Sequence, residues 1–279
     1  MFQHLVVGLL ASGLIASAGY KLRALSKTGV IAAIMIGTTL FVFTSVAWYG
    51  TLIVFFLTST GWSKWRKRQK RKAESTYEKG GRRDAWQVLA NGGAATLCGV
   101  VYYVWPSVGW WFVFVGVMAS VNADTWATEI GGLSKRLPRS IVTLRQVPRG
   151  TSGGVSMLGS VAAACGALTI GVSAALLLNN MSGSWIVTEG EGSLAGGWLL
   201  IIAALIGGLA GAFFDSLVGS TVQRMNRCTV CGAEIEQHTH CSQSSERLRG
   251  WRWMNNDAVN ALSSVFGGVV SWLCWILLL

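Results

Sequence analysis

Acidic residues are what this chain has least of: Asp and Glu number 12 in 279 residues, against 23 Lys and Arg. Charged residues of both signs make up 13%, roughly half the share of a typical soluble domain, while hydrophobic residues reach 52%. A water-facing shell cannot be built from that composition, which excludes a soluble globular protein. Proline is nearly absent, with three residues, so few helix kinks are forced, although glycine can also break a helix. No basic residue precedes the first apolar run, whereas Lys21, Arg23 and Lys27 follow it. A secretory signal has the opposite polarity, so Ala16-Ser17-Ala18 reads as part of a retained helix. There is no Arg- and Ser-rich transit peptide, no clear internal repeat and no nucleic-acid module. Nucleic acid is not an expected partner.

What is present is apolar sequence in lengths that cross a bilayer, about 18–20 residues per helix. Residues 2–20, 155–178, 198–214 and 258–279 each supply one span. Residues 28–62 form a hairpin turning near Ser45, and residues 86–122 a second one turning near Pro106 and Gly109. Glycine (35 residues) and alanine recur inside the runs, as close helix packing in lipid favours. The expected fold is all-α: a polytopic, glycine-rich integral membrane bundle of about eight transmembrane helices. It forms one domain, 1–279, with loops at 62–84, 132–154 and 222–256. All 23 basic residues fall in four clusters, at 21–27, 64–83, 135–149 and 224–252. Eight spans place all four on one face and leave Glu189 and Glu191 as the charges on the other. The positive-inside rule then makes the basic face cytoplasmic and both termini external, in a plasma (inner) membrane.

Against this scarcity of acids, the stretch "NADTWATEIG", residues 122–131, places two carboxylates at the basic-face end of the fifth span. Asp124 and Glu129 are five apart, about 140° around a regular helix, so they do not share a face unless the helix unwinds. Asp215 ends the seventh span and Asp257 opens the eighth, also on the basic face. Asn122, Thr125, Thr128, Ser216, Asn255, Asn256 and Asn260 accompany them. A hydrated interfacial acid accounts for one carboxylate more easily than for four. Ionisable groups at that depth are costly and mark function by default. Carboxylates with amides and hydroxyls are hard oxygen ligands suited to Mg²⁺. One of Asn255, Asn256 and Asp257 is expected to cap the last helix.

The complement is cationic. The loop after the fifth span carries Lys135, Arg136, Arg139, Arg145 and Arg149, then Gly150, Thr151, Ser152, Gly153 and Gly154 just before the sixth span. Glycines let backbone N–H groups turn toward an anion, and a following helix N-terminus adds a favourable dipole. The Gly-Lys-Ser/Thr ending of a Walker A loop is missing. The 62–84 loop reads first as an anchor to anionic headgroups, with Arg82 and Arg83 available as guanidinium forks for phosphate. Cys98, Cys165 and Cys274 lie in spans as packing groups. Cys228, Cys231, His238, His240 and Cys241 have zinc-ligand spacing, with one of the two histidines completing a structural Zn²⁺ site. That site would fold the last loop and bring Asp215 near Asp257. Together these features lead to the expectation of a nucleotide or phosphorylated substrate held with Mg²⁺ at the cytoplasmic membrane surface.

"WQVLANGG", "NADTWATEIG", "GTSGGVS", "DSLVGSTVQ", the Cys-x2-Cys…His-x-His-Cys loop and "NNDAVN" occur in this order over nearly the whole chain. In these motifs the sequence resembles the integral membrane family of the plant phytyl-phosphate kinases and animal transmembrane protein 19, long known as a domain of unknown function. The resemblance implies an isoprenoid-monophosphate kinase, similar to the CTP-dependent polyprenol kinases, that makes phytyl or geranylgeranyl diphosphate. It marks Asn91, Asn122, Asp124, Thr125, Glu129, residues 150–154, Asp215, Asn256, Asp257 and Asn260 as site positions. Within it, Asp124, Glu129 and Asp215 are expected to hold Mg²⁺, with Asp257 beside them. The glycine loop with Arg139, Arg145 or Arg149 is expected to hold the phosphates of CTP or another nucleoside triphosphate, and Arg82 or Arg83 the lipid phosphate. A homodimer stays open. The competing readings are a cytidylyltransferase, which would release pyrophosphate, and a transporter, whose acids belong near the bilayer midplane. A CDP-alcohol phosphotransferase lacks its Asp-Gly-x2-Ala-Arg signature here.

Overall fold

The computed structural model describes residues 2–66, 69, 79–179 and 194–278. Its long helices are α1 (Phe2–Lys21), α2 (Lys27–Phe43), α3 (Val46–Lys64), α4 (Ala85–Val104), α5 (Val108–Gly131), α6 (Met157–Asn179), α7 (Leu194–Thr221) and α8 (Asn256–Leu278). The two hairpins turn where small polar residues can start a helix. Ser45 precedes α3, and Ser107 Oγ accepts a hydrogen bond from Gly109 N–H at 3.3 Å to open α5. By length and composition alone, α1, α6, α7 and α8 can each cross a membrane. Glu189 and Glu191 lie outside the described residues.

Two helices outrun their apolar sequence. α5 continues unbroken from the expected end at Asn122 to Gly131, and α7 from Phe214 to Thr221. Hydropathy stops early in both because the polar residues of these last turns face an internal cavity, described below, rather than lipid.

α5 is the axis of the packing, and from Trp111 to Ala123 nearly every side chain is buried. Glycine makes this possible. A Cβ on Gly116 would collide with Ser271 and the Gly267 carbonyl of α8, and one on Gly211 of α7 with the Ser120 side chain. The rings of Trp48, Trp111 and Phe114 sit 4.4–5.3 Å apart and lock α3 onto α5.

Short strands fold the basic-end loops. β1 (Arg139–Ser140) pairs antiparallel with β2 (Gly154–Val155) and closes the glycine loop. Between α7 and α8, β3 (Met225–Arg227) lies between β4 (Glu234–Ile235) and β7 (Glu246–Arg249), and β5 (Thr239–His240) pairs with β6 (Gln243–Ser244). The chain leading into α4 is strapped to the α1–α2 turn. Arg83 N–H donates to the Ala24 carbonyl and Ser26 N–H to the Arg83 carbonyl, both at 2.9 Å. A Cβ on Gly29 would collide with that Arg83 carbonyl oxygen. Gly29→Ala is therefore expected to lower the melting temperature in detergent, for an overpacking cost of about 1–3 kcal/mol. Gly80→Ala should not, because a Cβ there meets nothing within 4 Å.

Candidate active site

The α3–α4, α5–α6 and α7–α8 connections meet around a cavity of about 290 Å³. Asp124, Glu129, Asp215 and Asp257 all line it. Because α5 stays helical, Asp124 and Glu129 look in different directions. Asp124 faces α7, close enough to Asp215 for the two charges to act on one another. Ser263 of α8 donates to Asp215 Oδ2 at 3.0 Å. Glu129 faces α3, where Ser63 donates to its Oε1 at 2.6 Å, and its charge acts on Arg83. The expected triad of Asp124, Glu129 and Asp215 is thus not brought together. Among the described residues these carboxylates do not form a group with ligand atoms within 4.8 Å. Asp124 and Asp215 remain as a facing pair, and among the described residues neither has a Lys or Arg partner.

Asn255 is the cap of α8: its Oδ1 accepts from Ala258 N–H at 3.0 Å. That leaves Asn256 and Asp257 to line the cavity with Asn260. Lys79 bridges Asp257 and Asp84. Burial opposes its charge, but the hydrogen bonds to the two carboxylates outweigh burial and hold its pKa above the ordinary lysine value. Among the described residues, the other Asp257 oxygen, Oδ1, and the Oδ1 of Asn91 are buried without a partner.

Gly150, Thr151, Ser152, Gly153 and Gly154 form one wall. Gly150 and Gly153 have φ of 85° and 79°, the left-handed region that glycine enters freely. A Cβ on Gly153 would also collide with Ser220 and approach the Ser216 carbonyl of α7. Beyond the loop, Ser156 Oγ accepts from Gly159 N–H at 3.1 Å and starts α6, whose first turn opens on the cavity. That turn carries the positive dipole end of the helix, although Ser156 already takes the N–H groups of Gly159 and Ser160. Gly153→Ala is expected to weaken anion binding at this loop at least about tenfold, because a displaced loop misdirects its N–H groups together. Titration of the purified protein with inorganic pyrophosphate would check it.

Other expected residues sit elsewhere. Asn122 is fully buried and spent on packing: Thr58 and Ser59 donate to its Oδ1 at 3.2 Å, and its Nδ2 donates to the Gly166 carbonyl at 2.8 Å. It ties α3, α5 and α6 together and does not line the cavity. Arg82 is also outside, with Nε donating to the Leu25 carbonyl at 2.9 Å and its guanidinium over Tyr20. Arg139 and Arg145 do not line the cavity, whereas Arg83 and Arg149 do, as do Thr125 and Thr128. Glu236, Lys79, Gln87 and Ser63 also line it and were not expected there: Gln87 and Glu236 lie in quoted motifs, but nothing local aims them at the cavity. Glu236 completes a chain: Ser152 donates to Gln223 Oε1 at 2.5 Å, and Gln223 Nε2 donates to Glu236 Oε1 at 3.0 Å.

The Cys/His loop holds a second centre. The ligand atoms of Cys228, Cys231, His240 and Cys241 lie within 4.8 Å of one another. His240 Nδ1 is 3.5 Å from Cys231 Sγ and 3.3 Å from Cys241 Sγ. His238 is exposed and outside the group, so of the two histidines the fold brings His240 to the cysteines. Positive φ at Cys241 and Ser242 turns the chain so that two consecutive residues reach the same point. A hydrogen bond from the Cys231 backbone draws the Cys228 thiol down to about 6. Desolvation and the adjacent thiols push Cys241 up to about 11. Three sulfurs and an imidazole are the donor set of a tetrahedral metal site, so the residues fit a structural metal ion. The fold around it delivers Glu236 to the cavity. It also delivers Arg249, whose Nη1 donates to the Gly219 and Ser220 carbonyls at the end of α7.

Residues 10–268 match the family model described as integral membrane protein DUF92. Protein PGR of Arabidopsis thaliana is 30% identical over 277 residues, covering 93% of this chain and 92% of that protein. An uncharacterized membrane protein of Methanocaldococcus jannaschii is 25% identical over 260 residues, 91% of this chain and 87% of its own. Protein VTE6, chloroplastic, of Arabidopsis thaliana is 23% identical over 254 residues, 88% of this chain and 64% of its own. No solved structure matches the chain.

Proposed function

The chain belongs to the integral membrane family DUF92, and we propose that it is a membrane kinase acting on an isoprenoid monophosphate. It would move the terminal phosphoryl group of CTP, or of another nucleoside triphosphate, onto a phytyl- or geranylgeranyl-type phosphate. One observation carries this reading. Two facing carboxylates without cationic partners among the described residues, a left-handed glycine loop, a helix N-terminus and the cations Lys79, Arg83 and Arg149 all line one cavity. Phosphoryl transfer asks for little besides charge neutralisation and positioning, and the motif resemblance points to the same chemistry.

The residue roles follow from position. The backbone N–H groups of Ser152 and Gly153, the first turn of α6 and Arg149 hold the nucleotide phosphates, while the N–H groups of Thr151 and Gly154 close the loop's own turns on the Pro148 and Thr151 carbonyls. Arg83 holds the acceptor phosphate. An oxygen of that phosphate attacks the terminal phosphorus of the nucleotide and forms the new P–O bond. The bond from that phosphorus to the bridging oxygen breaks, and the nucleoside diphosphate leaves with the electron pair. The acceptor is largely ionised near neutral pH (second pKa about 6), so no strong general base is needed. Asp124 and Asp215 fit Mg²⁺, since hard oxygens of one sign face each other without a cationic partner among the described residues. When bound, the ion neutralises charge on the transferring group. Zn²⁺ at Cys228, Cys231, His240 and Cys241 keeps the last loop folded. The basic end is the cytoplasmic one. Asp124 is about 10 Å from the end of its helix at 1.5 Å per residue, an edge position rather than the midplane a transporter would use.

Product analysis tests this against the cytidylyltransferase reading. The kinase releases CDP and a lipid diphosphate. Release of pyrophosphate with CMP joined to the lipid would replace it.

A further inference from the structure

A second cavity of about 70 Å³ lies among α1, α2, α3 and α4, away from the α5–α8 side of the active site. Its wall is apolar, with Ile36 of α2 and Tyr49, Phe55 and Phe56 of α3 among its residues. Two residues line both this cavity and the large one: Arg83 and Asn91. They stand at the junction between an apolar chamber and a polar one.

The junction is cationic, and the Glu129 charge acts on its guanidinium only from a distance. Among the described residues, the Arg83 guanidinium makes no hydrogen bond or ion pair. Its carbon lies 5.8 Å from the Phe55 ring centre. Burial pushes its pKa below the ordinary arginine value, with the Glu129 charge opposing the shift. Arg83 is half-buried, and drawing a guanidinium even partly out of water is costly unless an anion meets it. Among the described residues, the Asn91 Oδ1 is buried without a partner. The fold holds Arg83 here deliberately: its backbone is strapped to the α1–α2 turn, and Gly29 leaves room for its carbonyl.

We infer that this apolar cavity takes the phosphate-proximal stretch of a single-chain lipid tail, with the lipid's phosphate on Arg83 at the mouth of the active site. The inference rests on the kinase reading and assigns that site's acceptor its place. An amphiphile with an anionic head and an apolar tail matches both chambers at once: the head neutralises Arg83, and the tail covers the aromatic wall. The volume sets the class. At about half the size of an apolar cavity that binds benzene, roughly 150 Å³, it admits a short stretch of one chain. Two acyl chains side by side do not fit. The pocket therefore selects single-chain lipid monophosphates over diacyl ones, and the distal tail is left to the bilayer.

The test uses the purified full-length protein in detergent and a geranylgeranyl monophosphate carrying a diazirine on its first isoprene unit. After irradiation, adducts are mapped by mass spectrometry. The expected adducts fall on Ile36, Tyr49, Phe55 or Phe56. Excess plain geranylgeranyl monophosphate suppresses them and dipalmitoyl phosphatidic acid does not. Ala33→Phe fills the cavity from α2 and is expected to cut these adducts and raise the lipid KM about tenfold, with kcat unchanged. Adducts on α5–α8, adducts that plain lipid does not suppress, or equal suppression by phosphatidic acid would each overturn the assignment. The wild-type map decides even if the variant fails to fold. Suppressible adducts in α1–α4 without phosphoryl transfer would keep this site and remove the kinase. Transfer with adducts elsewhere would do the reverse.

Discussion

Asp124→Asn is expected to abolish phosphoryl transfer, by at least about a hundredfold in kcat, while the protein still inserts and folds. The change keeps shape and hydrogen-bonding capacity and removes one negative charge. Asp124 faces Asp215 with no cation between them among the described residues. Removing one carboxylate relieves that repulsion, so stability should hold or rise. In the proposed kinase the same charge would attract and orient Mg²⁺ with the nucleotide phosphates. Electrostatic groups aimed at a reacting centre are typically worth 10²–10³ in rate. Asp215→Asn should match it, and the double variant should cost little more than either single one, because the pair acts as a unit. Glu129→Gln should be milder and should appear in the lipid KM, since Glu129 acts on Arg83 rather than on the facing pair. Equal losses in kcat for Glu129→Gln and Asp124→Asn would restore the three-carboxylate metal site that the geometry argues against.

Cys228→Ser is expected to empty the metal centre and to raise the nucleotide KM more than about tenfold, through loss of structure rather than of chemistry. Cys228 is 2% exposed, and its N–H donates to the Ala233 carbonyl at 3.0 Å within the strand loop. Structural zinc in small folds binds with about 10–16 kcal/mol, comparable to the whole stability of an ordinary domain, about 5–15 kcal/mol. If the cluster holds zinc as proposed, its loss should let the strands come apart. Glu236 then leaves the cavity, the Ser152–Gln223–Glu236 chain opens and Arg249 releases the end of α7. The long helices should remain, since packing around α5 and not this loop holds them. Zinc content by elemental analysis, helix content by circular dichroism and nucleotide KM separate these effects. His238→Ala should keep the metal and His240→Ala should lose it.

Much of this was legible because membrane helices announce themselves by length and apolar content. Both hairpin turns, a cap somewhere in Asn255-Asn256-Asp257 and the glycine loop follow from local rules of chain geometry, and the structure picks Asn255 for the cap. Tertiary pairing decided the rest. Glu234 and Glu236 are two residues apart in one loop, and only the strand register buries the second beside Gln223. Asn122 carries the motif beside Asp124 yet is consumed by Thr58, Ser59 and Gly166, partners up to 64 residues away. Local spacing allowed either histidine as a ligand, and the left-handed turn at Cys241 chose His240. Helical geometry already put Asp124 and Glu129 on different faces, and α5 kept them there by running on to Gly131.

The most direct measurement incubates purified protein in detergent with Mg²⁺ and terminally labelled CTP, offering geranylgeranyl and phytyl monophosphates in turn. Label in a lipid diphosphate, with CDP released by the wild type and none by Asp124→Asn, is the predicted result. No transfer from CTP, ATP, GTP or UTP to either lipid, by protein shown to be folded and zinc-loaded, would contradict the kinase reading.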